Sequence, residues 1–403
     1  MADQALRDVR VVDLTHHVAG PYCTKMLADF GAEVIKVEPP WGDPARRIGP
    51  FAGDDPRIEK SGLFFHLNTN KLGVTLNLKT ETGRAILRRL IADADILVNN
   101  FAPRVMPSLG LDDAALWAIN PRLVITHITN FGRTGPYRDY RASDLILYAL
   151  GGSMQSTGLA GREPVRLADG LMLYHGGNTA AAVTLATYVG VRRQGRGRSI
   201  DVSLFETQAG GADRRATEIL AYEYHGIPME RTELVVGILP AGYFPAADGY
   251  VYFMILNQWW PRVARMLGRP DLLTDPRWTM PDGLFNPDAK EELDALFYVW
   301  VAERTKQQVM AEAQAARVAG TAVNDVSDLL EDPHFRARGF WAEYDHPVIG
   351  RVTTTGAPAR LSEGGWQARF AAPLLGQHNA VIYGDRLGYS GEDLVRLREL
   401  NII

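Results

Sequence analysis

Cysteine is nearly absent from this chain of 403 residues, because Cys23 is its only one. A lone thiol excludes an internal disulfide and a zinc site built from several cysteines. Long apolar segments are also missing, and none approaches the ~18 residues that a membrane-spanning helix needs. The amino-terminal letters MADQALRDVR contain no apolar core of a secretory signal. We therefore expect a cytoplasmic protein without a membrane partner.

Net charge is low as well, at −4 for pH 7. Proteins that bind nucleic acid through their overall charge are strongly basic, so we expect no nucleic-acid partner. Hydrophobic residues make up 46% and charged residues 22% of the chain, a balance typical of globular proteins with a sizeable core. The length allows one large domain together with a smaller one.

A strand–helix–strand pattern opens the chain. Residues 9–14 and 33–38 are predicted to be buried strands, with a helix at about 22–30 between them. Such a unit is parallel, and parallel sheets bind ligands beyond the carboxyl ends of their strands. The turn at residues 16–21 is therefore predicted to lie at a site. It has no GxGxxG motif, which argues against a dinucleotide.

Two adjacent histidines, His16 and His17, stand in this turn. Their spacing alone favours one capping and one packed histidine over a catalytic pair. No third ligand candidate lies nearby in the sequence, so we expect no metal site.

The same alternation of strands and helices continues along the first half. A helix is predicted over residues 80–92, with Thr80 among its capping candidates. Further strands are predicted at residues 74–78, 96–98 and 123–128. Repeated units of this kind predict an α/β fold with an open, mostly parallel, Rossmann-like sheet.

Residues 164–208 form the central stretch of the chain. A small-residue helix is predicted at 180–189, and its end is marked by Arg192, Arg193 and Gly195, because cations and glycine favour helix carboxyl termini. An alternating strand follows at residues 200–204.

A smaller α+β unit is predicted after this stretch. A strand and three helices are expected at residues 248–254, 259–267, 290–302 and 306–316. Aromatic residues at helical spacing in this part are predicted to pack in a core rather than to form a ligand cage. They are Trp259, Trp260, Phe297 and Trp300.

Several ordered motifs carry a resemblance to a known family. They include NTNK at residues 68–71, NNFAPR at 99–104, NPR at 120–122, FGRTGPY at 131–137 and GRG at 195–197. Each motif is weak alone, but their order and spacing are specific. The chain resembles the family III CoA transferases over nearly its whole length. These enzymes move a CoA thioester between carboxylic acids through an aspartate nucleophile.

The resemblance implies a domain plan and an assembly. Residues 1–210 and 328–403 would form the large CoA-binding domain, and residues 211–327 the small domain with its linkers. Two chains would interlock as a dimer, with coenzyme A or acyl-CoA as substrate and no covalently bound cofactor.

The resemblance also implies CoA-binding positions in this chain. They fall on His17, Val18, Leu76, Lys79, Asn100, Phe101 and Val105. Lys79 suits a phosphate as a point charge, and a solvated lysine is the alternative.

Other CoA positions depart from the family. Cations found in some members fall on Pro39, Ser108 and Thr129, where Arg104 and Arg133 are candidate substitutes.

The resemblance places the family nucleophile on Leu173, since the spacing from Gly195 and the spacing from Pro164 both lead to this residue. Leucine has no carboxylate with which to form an anhydride or thioester. Asp169 is the fallback candidate, although an aspartate before Gly170 also suits an ordinary turn. The family's glycine loop is reduced as well, to Gly237 and Gly242.

Four functions remain open from the sequence. The favoured one is the aspartate-lacking subunit of a heteromeric transferase, as in the succinyl-CoA:(R)-benzylsuccinate enzymes of anaerobic toluene degradation, acting with a homologous aspartate-bearing partner. Such a subunit would serve transfer from succinyl-CoA to an aryl- or alkyl-succinate. The alternatives are an active homomeric transferase that uses Asp169 and a non-catalytic acyl-CoA-binding protein. A racemase is disfavoured, because Ser143 replaces the family's histidine.

Overall fold

The structure is a computed structural model that describes residues 4–211, 215–228, 230–231, 239–279 and 287–403. The chain divides into two compact units. The first comprises Met1–Gly158, Glu163–Met229 and Arg338–Ile403, and the second comprises Leu159–Arg162 and Glu230–Ala337. The domain boundaries expected from the sequence, with CoA held by the larger part, stay a prediction.

The first unit is built on a six-stranded parallel sheet. Its strands are β1 (Arg10–Asp13), β2 (Glu33–Glu38), β3 (Lys71–Thr75), β4 (Ile96–Asn99), β5 (Val124–Thr129) and β6 (Arg198–Ser203). They are ordered β3-β2-β1-β4-β5-β6, and every neighbouring pair is parallel. The predicted open, Rossmann-like α/β sheet is therefore confirmed.

Two small antiparallel sheets complete the strands. The second unit contains β7 (Ala241–Ala246), β8 (Gly249–Met254) and β9 (Gly320–Ala322), and the first unit contains the hairpin β10 (Trp341–His346) and β11 (Gly350–Thr355). The hairpin packs with Phe64 and Phe65 in a core cluster of its own.

Helices follow most strands of the first unit. They are α1 (Ala19–Asp29), α2 (Gly62–Asn68), α3 (Glu81–Ala92), α4 (Val105–Ser108), α5 (Asp113–Ile119), α6 (Asp144–Leu150), α7 (Leu171–Gln194), α8 (Leu204–Gly211) and α9 (Arg215–His225).

The second unit also contains α-helices. They are α10 (Trp260–Met266), α11 (Pro276–Thr279), α12 (Pro287–Ala302), α13 (Lys306–Ala315), α14 (Val326–Glu331) and α15 (Pro333–Ala337). Near the carboxyl terminus, the first unit adds a π-helical segment (Ala380–Arg386) and α16 (Gly391–Glu399).

Local sequence explains several helix ends. The Thr80 hydroxyl accepts a hydrogen bond from the Gly83 N–H, which confirms Thr80 as the cap of α3. At α7, Gly170 before the first residue and Gly195 after the last both adopt left-handed conformations, with φ of 80° and 71°. Glycine reaches such angles without the Cβ penalty that other residues incur.

The central sheet is buried on both faces, as parallel sheets require. One face packs against α3, α5 and the carboxyl terminus, with Leu87, Leu97 and Tyr383 in its core. The other packs against α1 and α7, with Cys23, Val98 and Ala180 in its core.

The second unit has a core of its own. The aromatic residues that the sequence assigns to core packing lie there, with Trp260, Phe297 and Trp300 buried and Trp259 packed against them. Phe253 and Phe297 meet edge to face, with ring centroids 4.8 Å apart.

Some sequence predictions differ from the structure. The helix predicted at about 22–30 begins earlier, at Ala19, and ends at Asp29. The third strand lies at Lys71–Thr75 rather than 74–78, because Val34–Glu38 of β2 pairs with these residues. Helix α7 starts at Leu171, well before residue 180, and its early turns include Gly176 and Gly177, which pack closely against Leu204 and Ala19. The reduced glycine loop that the family resemblance places at Gly237 and Gly242 overlaps β7, which contains Gly242, while Gly237 lies outside the described residues.

Candidate functional site

The strand order reverses between β1 and β4, and the loops that follow these strands separate there. In parallel sheets of this kind, ligands bind in the crevice at that switch point. The structure has an open cleft of about 1120 Å³ in this place. Its walls include His16 and Val18 after β1, Asn100 and Phe101 after β4, and Leu173 of α7.

The turn after β1 is held by side chains from other strands and loops. The His16 N–H donates to Asn100 Oδ1 at 2.9 Å, and Asn100 Nδ2 donates back to the His16 carbonyl at 2.8 Å. The His17 N–H donates to Asp43 Oδ1 at 3.0 Å, and His17 has a left-handed φ of 70°. Such a backbone is costly for histidine and persists where its surroundings fix it.

Buried charges beneath the turn explain how it is fixed. Lys36 donates to the Thr15 carbonyl and pairs with Asp43 Oδ2 at 2.8 Å, and both side chains are fully buried. Burial would raise the pKa of Asp43, but Lys36 and neighbouring groups hold it below its usual range. The pair thus keeps its charges inside the protein.

A second buried pair supports the start of α1. Lys71 Nζ lies 3.1 Å from Asp13 Oδ2 and also donates to the Pro21 carbonyl, Thr24 Oγ1 and Asn68 Oδ1. Burial would raise the pKa of Asp13, but Lys71 and other partners lower it to about 2. Burial lowers the pKa of Lys71 to about 8, against the attraction of Asp13.

The structure brings most of the expected CoA-binding residues to the cleft. His17, Val18, Asn100, Phe101 and Arg104 all line it. Their loops meet because β1 and β4 are adjacent in the sheet. Their contact with CoA stays a prediction.

Three expected CoA-binding residues lie away from the cleft lining. Leu76 is buried in the core beside β3, and Val105 begins the short helix α4. The Lys79 ammonium lies 5.5 Å from the centre of the Trp41 ring, a cation–π contact at the surface.

The two candidate substitute arginines differ in their surroundings. Arg133 is committed to an ion pair, with Nη1 2.8 Å from Asp113 Oδ2. Asp113 also accepts from His127 Nε2 at 2.9 Å. Arg104 is exposed, lines the cleft and has no ion pair with any residue that the structure describes. Arg104 is therefore the better placed of the two for an anionic group.

Leu173 and Asp169 both line the cleft. Leu173 lies in the first turn of α7 and packs partly against the core. Asp169 is exposed, and its Oδ1 lies 2.6 Å from Arg166 Nη1. The cleft therefore has a hydrocarbon side chain where the family resemblance places the nucleophile.

Asp144 and Tyr174 are two lining residues to which the sequence assigns no role. Asp144 Oδ2 accepts from the Gly170 N–H at 3.1 Å, while its Oδ1 is buried without a hydrogen-bond partner in the described part of the chain. The Tyr174 ring packs edge-on against Tyr22, with centroids 4.8 Å apart. Nothing in the sequence indicates the contact between Asp144 and Gly170, which lie 26 residues apart.

Metal-binding side chains do not cluster in the described part of the chain. Within those ranges, no group of three or more histidine, cysteine, aspartate or glutamate side chains is arranged to hold a metal ion. Over the same residues, every helix falls short of the length and apolar character that a membrane crossing demands.

Fold and cleft together define an α/β protein with a cleft at the switch point of a parallel sheet. Comparison with known proteins gives the family. Residues 6–379 match the sequence profile of CoA-transferase family III. A crystal structure of a CaiB/BaiF family protein from Brucella suis is similar, with a TM-score of 0.84 and 29% identity, covering 95% of this chain and 99% of that one.

Two relatives are similar to this chain over nearly their whole lengths. Succinyl-CoA–D-citramalate CoA-transferase of Chloroflexus aurantiacus is 33% identical, covering 99% of this chain and 98% of that protein. Subunit BbsE of succinyl-CoA:(R)-benzylsuccinate CoA-transferase from Thauera aromatica is 31% identical, covering 98% and 97%. The chain belongs to CoA-transferase family III, whose members use CoA thioesters as substrates.

Proposed function

We propose that this chain is the aspartate-lacking subunit of a heteromeric CoA transferase. The observation that carries the proposal is Leu173, which lines the cleft at the position expected for the nucleophile. A leucine side chain cannot accept an acyl group, since it has no nucleophilic atom. A homologous partner chain with an aspartate at this position would supply the nucleophile.

The carboxylates that line the cleft support this proposal. Asp139 and Asp169 are exposed and pair with Arg138 at 3.2 Å and with Arg166 at 2.6 Å. Asp144 directs one oxygen to the Gly170 N–H, and its other oxygen is buried. Each of the three therefore has a partner in this chain, an arginine for Asp139 and Asp169 and a backbone N–H for Asp144.

The substrate pair is the second part of the proposal. Both relatives described above carry succinyl-CoA in their names, and one acts on benzylsuccinate. We propose succinyl-CoA as the donor and an aryl- or alkyl-succinate as the acceptor. The apolar side chains of Leu63, Ile128 and Leu204 in the cleft lining suit an acid with a hydrocarbon substituent.

An exposed apolar surface supports a partner chain. Helix α7 buries one stripe that includes Gly177, Ala180 and Thr184, whereas Val183 and Val189 are exposed. Further exposed apolar side chains on α6 and α9 are Leu145, Ile146, Leu150, Ile219, Leu220 and Tyr222. Exposed apolar surface of this extent is typical of an interface with another chain.

CoA exchange between succinyl-CoA and benzylsuccinate tests the proposal. The purified chain alone should give no exchange above background, and adding a homologue that carries the aspartate should restore turnover. Mutating that aspartate in the homologue should abolish turnover again. Turnover by the chain alone would overturn the silent-subunit assignment.

Leu173→Asp provides a second arm of this test. We expect little activity from it, because nucleophilic catalysis also needs hydrogen-bond donors for the developing charge, and the glycine loop is reduced. Robust exchange by Leu173→Asp alone would show that only the carboxylate was missing.

An active homomeric transferase that uses Asp169 is the second candidate, because Asp169 lines the cleft. The substitution Asp169→Asn distinguishes the homomeric from the heteromeric function. In the homomeric case it abolishes exchange by the chain alone, whereas in the heteromeric case it leaves the exchange of the mixed enzyme unchanged.

A further inference from the structure

We propose that the imidazole of His16 donates a hydrogen bond to a carbonyl oxygen on the pantetheine–thioester arm of the bound CoA ligand. The inference rests on the proposed CoA-binding function and assigns a contact within the cleft. The first observation is position, because His16 follows β1 at the switch point and lines the cleft.

The backbone hydrogen bonds around His16 give the second observation. The N–H groups of Thr15, His16 and His17 donate to Asp13 Oδ1, Asn100 Oδ1 and Asp43 Oδ1. The carbonyls of Thr15 and His16 accept from Lys36 and Asn100. Since these backbone groups of Thr15, His16 and His17 are used inside the protein, a ligand beside His16 finds a polar partner in its side chain rather than in these groups.

The His16 side chain has hydrogen-bonding capacity that these backbone groups lack. Its ring packs edge-on against Phe101, with centroids 5.6 Å apart and planes at 70°. Neither ring nitrogen has a hydrogen-bond partner among the residues that the structure describes. The ring is only partly buried, so its remaining surface faces the cleft.

The surrounding charges determine the protonation state. Burial first, and then the positive charge of Lys36, lower the pKa of His16, against the opposing effect of Asp43, Asp13 and Glu38. The imidazole is therefore uncharged at neutral pH, with one N–H donor and one acceptor nitrogen. A neutral donor suits a carbonyl oxygen better than a phosphate.

The rigidity of the turn adds to this inference. Phe101 fixes the face of the ring, and the Asn100 and Asp43 contacts fix the backbone on both sides of its Cα. A donor held in place before binding loses little entropy when the ligand arrives. The arm of CoA offers carbonyl oxygens in its two amides and, in an acyl-CoA, in the thioester.

The experiment compares ligand affinities by calorimetry for the wild type, His16→Phe and His16→Gln. His16→Phe keeps a planar ring against Phe101 and removes the donor, and His16→Gln restores a donor. His334→Phe, at an exposed site in the second unit, is the matched control. The three ligands are succinyl-CoA, free CoA and an S-alkyl thioether of CoA, which lacks the thioester carbonyl.

We expect His16→Phe to weaken succinyl-CoA binding by about three- to ten-fold, the range for one lost hydrogen bond, and His16→Gln to recover part of the loss. A loss confined to succinyl-CoA identifies the thioester carbonyl, and an equal loss for all three ligands identifies a pantetheine amide. Unchanged affinity of His16→Phe for all three would overturn this inference alone. Failure of the wild type to bind any of them would overturn the proposed CoA-binding function, and this inference with it.

Discussion

Lys71 shows how a single buried side chain holds the segment that forms the cleft wall. Its ammonium is fully buried and donates to four acceptors, two of which, Asp13 Oδ2 and the Pro21 carbonyl, belong to the segment that forms the cleft wall. A buried charge is tolerated only with such complete pairing. The sequence shows Lys71 within the NTNK motif but does not reveal its partners, because they lie up to 58 residues away.

Replacing Lys71 by methionine should be strongly destabilising. The change leaves the Asp13 carboxylate buried without its cation, which costs about 3–5 kcal/mol in the free energy of unfolding. Arg57→Met is the contrast, since the Arg57–Asp55 pair lies at the surface, where solvent screens it, and its loss should change stability little. Urea unfolding at one protein concentration measures both, and equal losses would contradict the account.

His66 makes the stability depend on pH. Burial first, and then Lys25, lower its pKa to about 4 from 6.5. As the pH falls, His66 takes up a proton at a higher pH in the unfolded chain than in the folded protein. The stability that depends on neutral His66 is therefore fully present above pH 6.5 and is lost as the pH falls to 4. The loss amounts to at most about 3 kcal/mol.

The measurement for His66 is the pH profile of unfolding free energy. His66→Phe should lose less stability than the wild type between pH 6.5 and 4, and His334→Gln, at an exposed histidine, should follow the wild type. Parallel profiles for the wild type and His66→Phe would show that His66 does not carry this dependence.

At the scale of elements, the contact between α1 and α7 shapes the cleft. A Cβ on Gly177 would lie 2.6 Å from the Ala19 carbonyl oxygen and 3.2 Å from the Tyr22 ring. The two helices therefore approach closely only because residue 177 has no side chain. Ala19 lines the cleft, so this packing also sets the position of the cleft wall.

Gly177→Ala and Gly190→Ala form a matched pair on α7. Gly177→Ala should destabilise by about 1–3 kcal/mol through overpacking, and it should weaken CoA binding by moving Ala19. A Cβ at residue 190 would meet no neighbouring element within 4 Å, so Gly190→Ala should be neutral or stabilise by up to about 1 kcal/mol. Thermal unfolding checks both, and a neutral Gly177→Ala would refute the close packing of the two helices.

Sequence patterns predict the parallel sheet because buried strands and amphipathic helices have distinct periods. They place the third strand three residues late, because its register depends on pairing with Val34–Glu38 rather than on its own alternation. They place a turn after β1 but extend it to residue 21, whereas α1 already begins at Ala19. They also do not reveal the partners of the turn, since Asn100 and Asp43 reach it only through the tertiary fold. The ion pair of Arg133 with Asp113 is hidden for the same reason.

For the whole molecule, we expect an interlocked dimer with a second family III chain. The exposed apolar side chains of α6, α7 and α9 support this assembly. Interfaces of such obligate assemblies bury about 2,000–5,000 Å². Sedimentation at micromolar concentration should show a heterodimer when the partner is present. It should show a homodimer when this chain is alone. A clean monomer in both conditions would contradict the expected assembly.

The identity of the acylated residue tests the central claim most directly. The chain is incubated with succinyl-CoA in the presence of the aspartate-bearing homologue, the acyl-enzyme is trapped with hydroxylamine or borohydride, and the modified residue is mapped by mass spectrometry. We predict that all of the label lies on the homologue's aspartate and none on this chain. A label on Asp169, or on any other carboxylate of this chain, would contradict its assignment as the silent subunit.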